Sequence, residues 1–280
     1  MDPGTGLTIL GTAVGSAKLV EKILGPTADY LGAGLRDWTE QSTKNLGRIF
    51  RKAQTKLGDR LDHPGAVPPK VLKNVLQEGA FCDDELAAEY FGGVLASSRT
   101  EVGRDDRGAA FAAPTGRLTS YQIRSHFFFY TMVRVIFEGM DINIGVAEGR
   151  SDCRLFVPFN AYAAALDFSE AEDPGVITSH VMFGLSREAL IDGAFQFGDT
   201  EHLKGSYPEA DDPGLLFAPS ALGVELYLWA HGRGDLPVRA ILDSSVALPS
   251  EIPIATAPGT RSTKHHDKRF PKPESPEPAR

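Results

Sequence analysis

Only two cysteines occur in the 280 residues, Cys82 and Cys153, far apart and in no CxxC pair. That count leaves no room for a disulfide framework or a cysteine-built zinc site, and free thiols in a reducing compartment are expected. Long apolar runs are missing too. The run LTILGTAVGSA, from Leu7 to Ala17, ends after eleven residues at Lys18. A helix that crosses a bilayer needs about 20 apolar residues, so this run predicts no spanning segment. No basic region precedes it, so no signal peptide is expected either. Also absent are the spaced motifs that announce chemistry: a nucleophile elbow, a Walker-type loop, a GxGxxG after a strand, an HExxH helix. Accordingly no cofactor and no metal are called for.

What is present is the composition of a globular chain, 42% hydrophobic and 24% charged, enough for one large core or two modest ones. The net charge of −8 conceals a division. Between Arg36 and Arg60 seven Lys or Arg face Asp37, Glu40 and Asp59. Between Glu138 and Asp212 fifteen Asp or Glu face only Arg150, Arg154, Arg187 and Lys204. An acidic surface repels nucleic acid and anionic membrane, so binding to either is restricted to the basic part.

The basic part reads as one long amphipathic helix from Ala28 to about Leu61. Leu31, Leu35, Trp38, Ser42, Leu46, Ile49, Ala53 and Leu57 step along one side, with Lys44, Arg48 and Arg51 opposite. Such a helix, with Trp38, can meet an anionic membrane or an acidic partner; it can equally be a core helix with a solvated charged face. Pro26 should end the Gly/Ala-rich segment before it.

After the Asp62–Gly65 breaker comes the most sharply written stretch. Pro68 and Pro69 suit a first helical turn, Val71, Leu72, Val75 and Leu76 follow at helical spacing, and Gly79 stops the helix. Asp83 or Asp84 caps a second helix with Leu86, Tyr90, Phe91, Val94 and Leu95 on one stripe. The result is a helical hairpin. Gly92 and Gly93 lie inside that second helix, where each costs about 1 kcal/mol relative to alanine, so another backbone is expected to pack closely there.

The wording VPPKVLKNVLQEGAFCDDELAAEYFGGVLASSR, with DDRG at Asp105–Gly108 and RLTSYQIRSH at Arg117–His126, resembles the bacterial Abi-alpha family, a domain of unknown function linked with abortive-infection phage defence. The similarity extends over roughly residues 15 to 232. It implies a biological setting and supplies no catalytic residues.

Further on, Thr119 and Gln122 have capping-box spacing before a central helix with Ile123, Phe127, Tyr130, Val133 and Phe137. INIGVA and RLFVPF predict a short β hairpin or an irregular edge between Asp141 and Phe159, followed by a helical turn at Asn160–Leu166. Ser169 with Glu172, or a turn at Asp173-Pro174-Gly175, comes next. Then come a helix from Ile177 to Phe183, a turn at Gly184, and a second helix capped by Ser186, with LLFA as a strand and Pro219 opening a helix. FAPSALGVELYL resembles the last strand and following helix of winged-helix regulators, with Ala218 where Thr is common. The acidic wing argues for protein contact rather than DNA. From Thr256 onward five prolines, alternating charges and no aliphatic larger than alanine predict disorder. His265 and His266, in that tail, read as solvated.

The fold expected is α+β, mainly α. The segments are a Gly/Ala-rich helix (1–26), a helical region with the basic helix and hairpin (27–137), a mixed winged-helix-like domain (138–248) and a disordered Pro-rich tail (249–280). Candidate catalytic residues are Glu85 and Glu89, one turn apart, with Asp105 and Asp106; Arg99, Arg107, Arg124 and His126 complete the constellation. Paired carboxylates could act as acid and base, but a dipole-favoured first turn with surface ion pairs explains the same residues. Lys44, Arg48, Arg51 and Trp38 are the candidate membrane or partner contacts. The reading adopted is a non-enzymatic, cytoplasmic defence protein. It associates with a protein partner, either an infection trigger or another copy of itself, and reaches an anionic membrane surface on activation. The alternatives are a phosphate-directed enzyme using the Glu85–Arg107 cluster and a DNA-binding regulator.

Overall fold

A computed structural model describes residues 11–25, 40–253 and 255–271. The protein is mainly helical with one small antiparallel sheet, an α+β fold. It divides into two compact units. The first holds the described residues up to Ile123 together with Glu225–Pro237 and Ala247–Ile252; the second holds Arg124–Val224, Val238–Val246 and the described residues from Pro253 onward.

In the first unit α1 (Ala17–Leu24) starts at Ser16, whose hydroxyl accepts from the Leu19 amide. Helix α2 (Glu40–Leu57) covers the described part of the segment expected to be one amphipathic helix, and a 3-10 turn, Gly58–Asp62, ends it. Its stripe of Ser42, Leu46, Ile49, Ala53 and Leu57 is buried, while Leu31, Leu35 and Trp38 lie outside the described residues. The hairpin forms as its signals dictate. Helix α3 (Pro69–Gly79) has proline in its first turn, and α4 (Glu85–Ser98) is capped by Asp84, whose carboxylate accepts from the Ala87 amide.

The two glycines inside α4 face backbone on both sides. A Cβ on Gly92 would stand 2.6 Å from Lys52 Cβ and 2.9 Å from the Ile49 carbonyl of α2. One on Gly93 would collide with the carbonyls of Ala230 and Trp229. Glycine therefore lets α4 sit in the middle of its unit, with nearly all of its residues buried. Helix α5 (Gly108–Arg117) follows, and the capping box at Thr119 and Gln122 starts α6 (Ser120–Phe137): the Thr119 amide donates to Gln122 Oε1 and the Gln122 amide to Thr119 Oγ1. Phe127, Phe128 and Phe129 of α6 are all buried.

The second unit carries the small antiparallel sheet. After α6 come α7 (Ala147–Asp152), β1 (Leu155–Pro158), α8 (Phe159–Leu166), α9 (Pro174–Arg187), β2 (Gln196–Gly198), a connection holding α10 (Thr200–Lys204), β3 (Gly214–Phe217) and α11 (Ala221–Ala230). Strand β3 lies between β2 and β1, with Leu155 opposite Phe217 and Gln196 opposite Leu216. Phe129 stacks on Phe217 beneath the sheet. Phe156, Leu203, Tyr207, Ala210 and Leu216 form a buried cluster that anchors the connection between β2 and β3.

The structure departs from four expectations. INIGVA forms no strand: the Gly145 amide turns back onto Asn143 Oδ1, Ile144 alone is buried, and α7 begins at Ala147. The break expected at Gly184 is absent, because α9 is one helix whose buried Val181, Met182 and Leu185 carry it through the glycine. Asp173 is its cap and Pro174 its first residue, so the Asp-Pro-Gly sequence starts a helix instead of making a turn, and no helix starts at Ser186. The tail is not free. Arg261–Ser262 forms β4, which pairs with β1, and Ala257, Thr260 and Ser262 are buried. Backbone pairing to a strand orders this segment without large aliphatic side chains, the one source of order that composition counts. Both cysteines are free thiols, and burial pushes their pKa values up, Cys82 to about 11 and Cys153 to about 12.

Candidate functional site

Helices α2 and α4 each present a pair of charges one turn apart, Lys52 with Lys56 and Glu85 with Glu89, and packing interlocks the pairs. Lys52 Nζ lies 2.6 Å from Glu85 Oε1, 2.9 Å from Glu89 Oε1 and 2.5 Å from Glu251 Oε2; Lys56 Nζ lies 2.5 Å from Glu89 Oε2. Glu89 is only 3% exposed. Its Oε1 makes no aligned hydrogen bond and is held by charge contact with Lys52 alone. Burial alone would pull the Lys52 pKa down, but its close contacts with the Glu251, Glu85 and Glu89 carboxylates outweigh it and hold the ammonium above the ordinary lysine range. The same contact holds the Glu251 carboxyl below its ordinary range.

A carboxylate neutralised by two ammoniums is a poor general base, and an ammonium held this firmly is no nucleophile. The adjoining cavity, about 100 Å³, is smaller than the ~300 Å³ at which substrate pockets begin. No group of His, Cys, Asp or Glu among the described residues is arranged to hold a metal ion.

The rest of the predicted constellation is dispersed. Arg99 donates to the carbonyls of Lys22, Arg60, Leu61 and His63, binding chain segments together. Asp105 pairs with Arg107, and Asp106 with Lys70. Arg124 and His126 belong to the second unit, where the His126 ring bonds the Gly223 carbonyl. Glu85 and Glu89 therefore share no site with Asp105 and Asp106.

The basic face of α2 is largely occupied. Arg48 donates to the Asp83 carbonyl and to Asn45 Oδ1, and Arg51 to the Ala13 carbonyl. Lys44 remains exposed and pairs with Glu40 one turn before it. Trp38 lies outside the described residues.

Sequence reasoning missed the surface that stands out most. With α9 continuous from Pro174, residues 176, 180, 183 and 187 fall on one face. Val176 is 66% and Phe183 62% exposed, and His180 and Arg187 are exposed beside them. Phe183 meets Phe195 and Phe197 edge-on at 5.3 and 6.2 Å, and those two rings stack on each other. In a DNA reader this helix would carry cations for phosphates. Here Arg187 is its one Lys or Arg, and its Nε lies 3.4 Å from Glu188 Oε1. The connection between β2 and β3 carries Asp199, Glu201, Glu209, Asp211 and Asp212 against Lys204. Reading Asp173-Pro174 as cap and first turn would have set the helical phase and revealed the face.

No helix among the described residues is long and apolar enough to cross a membrane. No family model, curated protein or solved structure matches the chain.

Proposed function

We propose that this chain is a non-enzymatic, cytoplasmic protein of abortive-infection phage defence that acts by binding a protein partner through the exposed face of α9 and β2. The setting rests on the resemblance of the hairpin wording to the Abi-alpha family. The mode of action rests on one observation, the exposed Phe183 ring packed against half-buried Phe195 and Phe197 where a nucleic-acid reader would place Lys and Arg. An exposed aromatic ring backed by half-buried ones is the chemistry of interface hot spots.

Asp192 and Asp199 flank the two β2-side phenylalanines in sequence, and Glu201 follows. The partner that fits is a protein presenting an apolar side chain with Lys or Arg around it. A second copy meeting this chain through the same face would set acid against acid, which disfavours self-association there. Membrane contact belongs to a later, activated state in which Lys44, Arg48 and Arg51 leave their present partners. The enzyme reading is disfavoured by the mutual neutralisation of Lys52, Lys56 and Glu89.

A photo-crosslinking amino acid at position 183, in cells challenged with phage, tests the reading. A discrete protein adduct that forms on infection supports it. Absence of any protein adduct in infected cells that the chain still protects would overturn it.

A further inference from the structure

Within the second unit a pocket of about 290 Å³ opens where the segment from Thr263 to His266 folds back beside Arg154 and the stretch from Ser206 to Glu209. The other partly buried arginines of this unit are all engaged. Arg134 holds the Ile241 and Val246 carbonyls, Arg150 the Gly145 carbonyl, and Arg261 the Tyr207 hydroxyl and Asp211. Arg154 differs: its guanidinium makes no hydrogen bond and no ion pair among the described residues, although burial strips it of solvent and pulls its pKa down. Asp192 offsets this only through its more distant charge. A half-buried guanidinium with five donors and no acceptor is an incomplete arrangement.

The rest of the lining supplies further donors. Lys264 Nζ spends two of its three hydrogens on Ser151 Oγ and Asp152 Oδ1, at 3.1 and 2.8 Å. Ser151 accepts from Lys264 and Ser206 accepts from Gln196, which leaves both hydroxyl hydrogens to donate. The one carboxylate in the lining, Glu209, is 3.0 Å from His266 Nδ1. Several converging donors with a planar fork among them suit a group with several acceptor oxygens.

We propose that this pocket binds a small phosphorylated molecule, with Arg154 as the main phosphate ligand and Lys264, Ser151 and Ser206 around it. Its volume is near the ~300 Å³ lower bound of ligand pockets, the size of a sugar phosphate rather than a polymer.

Calorimetric titration of the full chain with ribose 5-phosphate tests this, with ribose and inorganic phosphate as companions. Expected is one saturable site for ribose 5-phosphate, weaker binding of phosphate and none of ribose. Arg154→Gln should weaken binding by about tenfold or more, a change of ~1.4 kcal/mol. Lys264→Gln, on the open rim, should weaken it by a smaller factor and guards against a folding defect at Arg154. No saturation by ribose 5-phosphate up to about 10 mM would overturn the proposal, since that places Kd beyond ~1 mM. An affinity unchanged in both variants would overturn it equally.

Discussion

Lys56 Nζ and Glu89 Oε2 stand 2.5 Å apart with both side chains about 5% exposed, a charge pair across α2 and α4 almost wholly withdrawn from water. Breaking one side of such a pair leaves the other charge buried and uncompensated. Glu89→Gln should therefore destabilise the protein by about 3–5 kcal/mol, whereas Glu85→Gln, at a half-exposed carboxylate, should cost about 1 kcal/mol or less. Urea unfolding of both variants checks this. Any activity lost in the Glu89 variant must be judged against its stability before it is assigned to catalysis.

Gly93 touches the Ala230 carbonyl where no Cβ fits, so Gly93→Ala should destabilise despite the better helix propensity of alanine. Overpacking at the backbone costs about 1–3 kcal/mol or more, and it exceeds the gain of about 1 kcal/mol from propensity. Gly193→Ala, with open space around it, serves as the control and should change the melting temperature little.

Stability should be level through neutral pH and fall at both ends. Lys52 has a folded-state pKa raised above its unfolded value, so its contribution is complete below about 10.4 and is lost as pH rises beyond that. Glu251, Asp105 and Asp211 are lowered, each by its hydrogen-bonded cation first, so their contributions are complete above about pH 4.5 and are lost as pH falls. Denaturation midpoints between about pH 3 and about pH 11 trace both limbs. A maximum confined to acid would contradict the assignment.

The folded chain should not float with anionic liposomes, because the α2 stripe is buried and Arg48 and Arg51 hold backbone carbonyls. Changing Lys44, Arg48 and Arg51 together to Gln should lower the melting temperature, since two of the three make internal hydrogen bonds worth about 1 kcal/mol each. A solvated charged face would show no such loss. Flotation of the unchanged protein, insensitive to salt, would contradict this placement of α2.

The sequence announced those elements whose signals are local. Pro68-Pro69, the Asp84 cap and the Thr119–Gln122 box each act within one turn, and all appear where they were read. Gly92 and Gly93 went further, since their helix-breaking cost demanded a close neighbour and α2 and Ala230 are there. Long-range partners left no local trace. The i, i+4 spacing of Lys52 with Lys56 and of Glu85 with Glu89 was visible, but not that the pairs face one another. Nor could composition reveal that Arg261 and Ser262 pair with β1. The aromatic face was hidden by a misplaced break at Gly184, which put Phe183 at a helix end instead of on its exposed side.

Survival of phage-challenged cells carrying the Phe183→Asp chain tests the central claim most directly. At 62% exposure the substitution leaves the core untouched, so the variant should accumulate and melt as the unchanged protein does. The expected result is protection by the unchanged chain and loss of that protection in the variant. Equal protection by both chains would contradict a protein contact through the α9 and β2 face, and no protection by the unchanged chain would contradict the defence function itself.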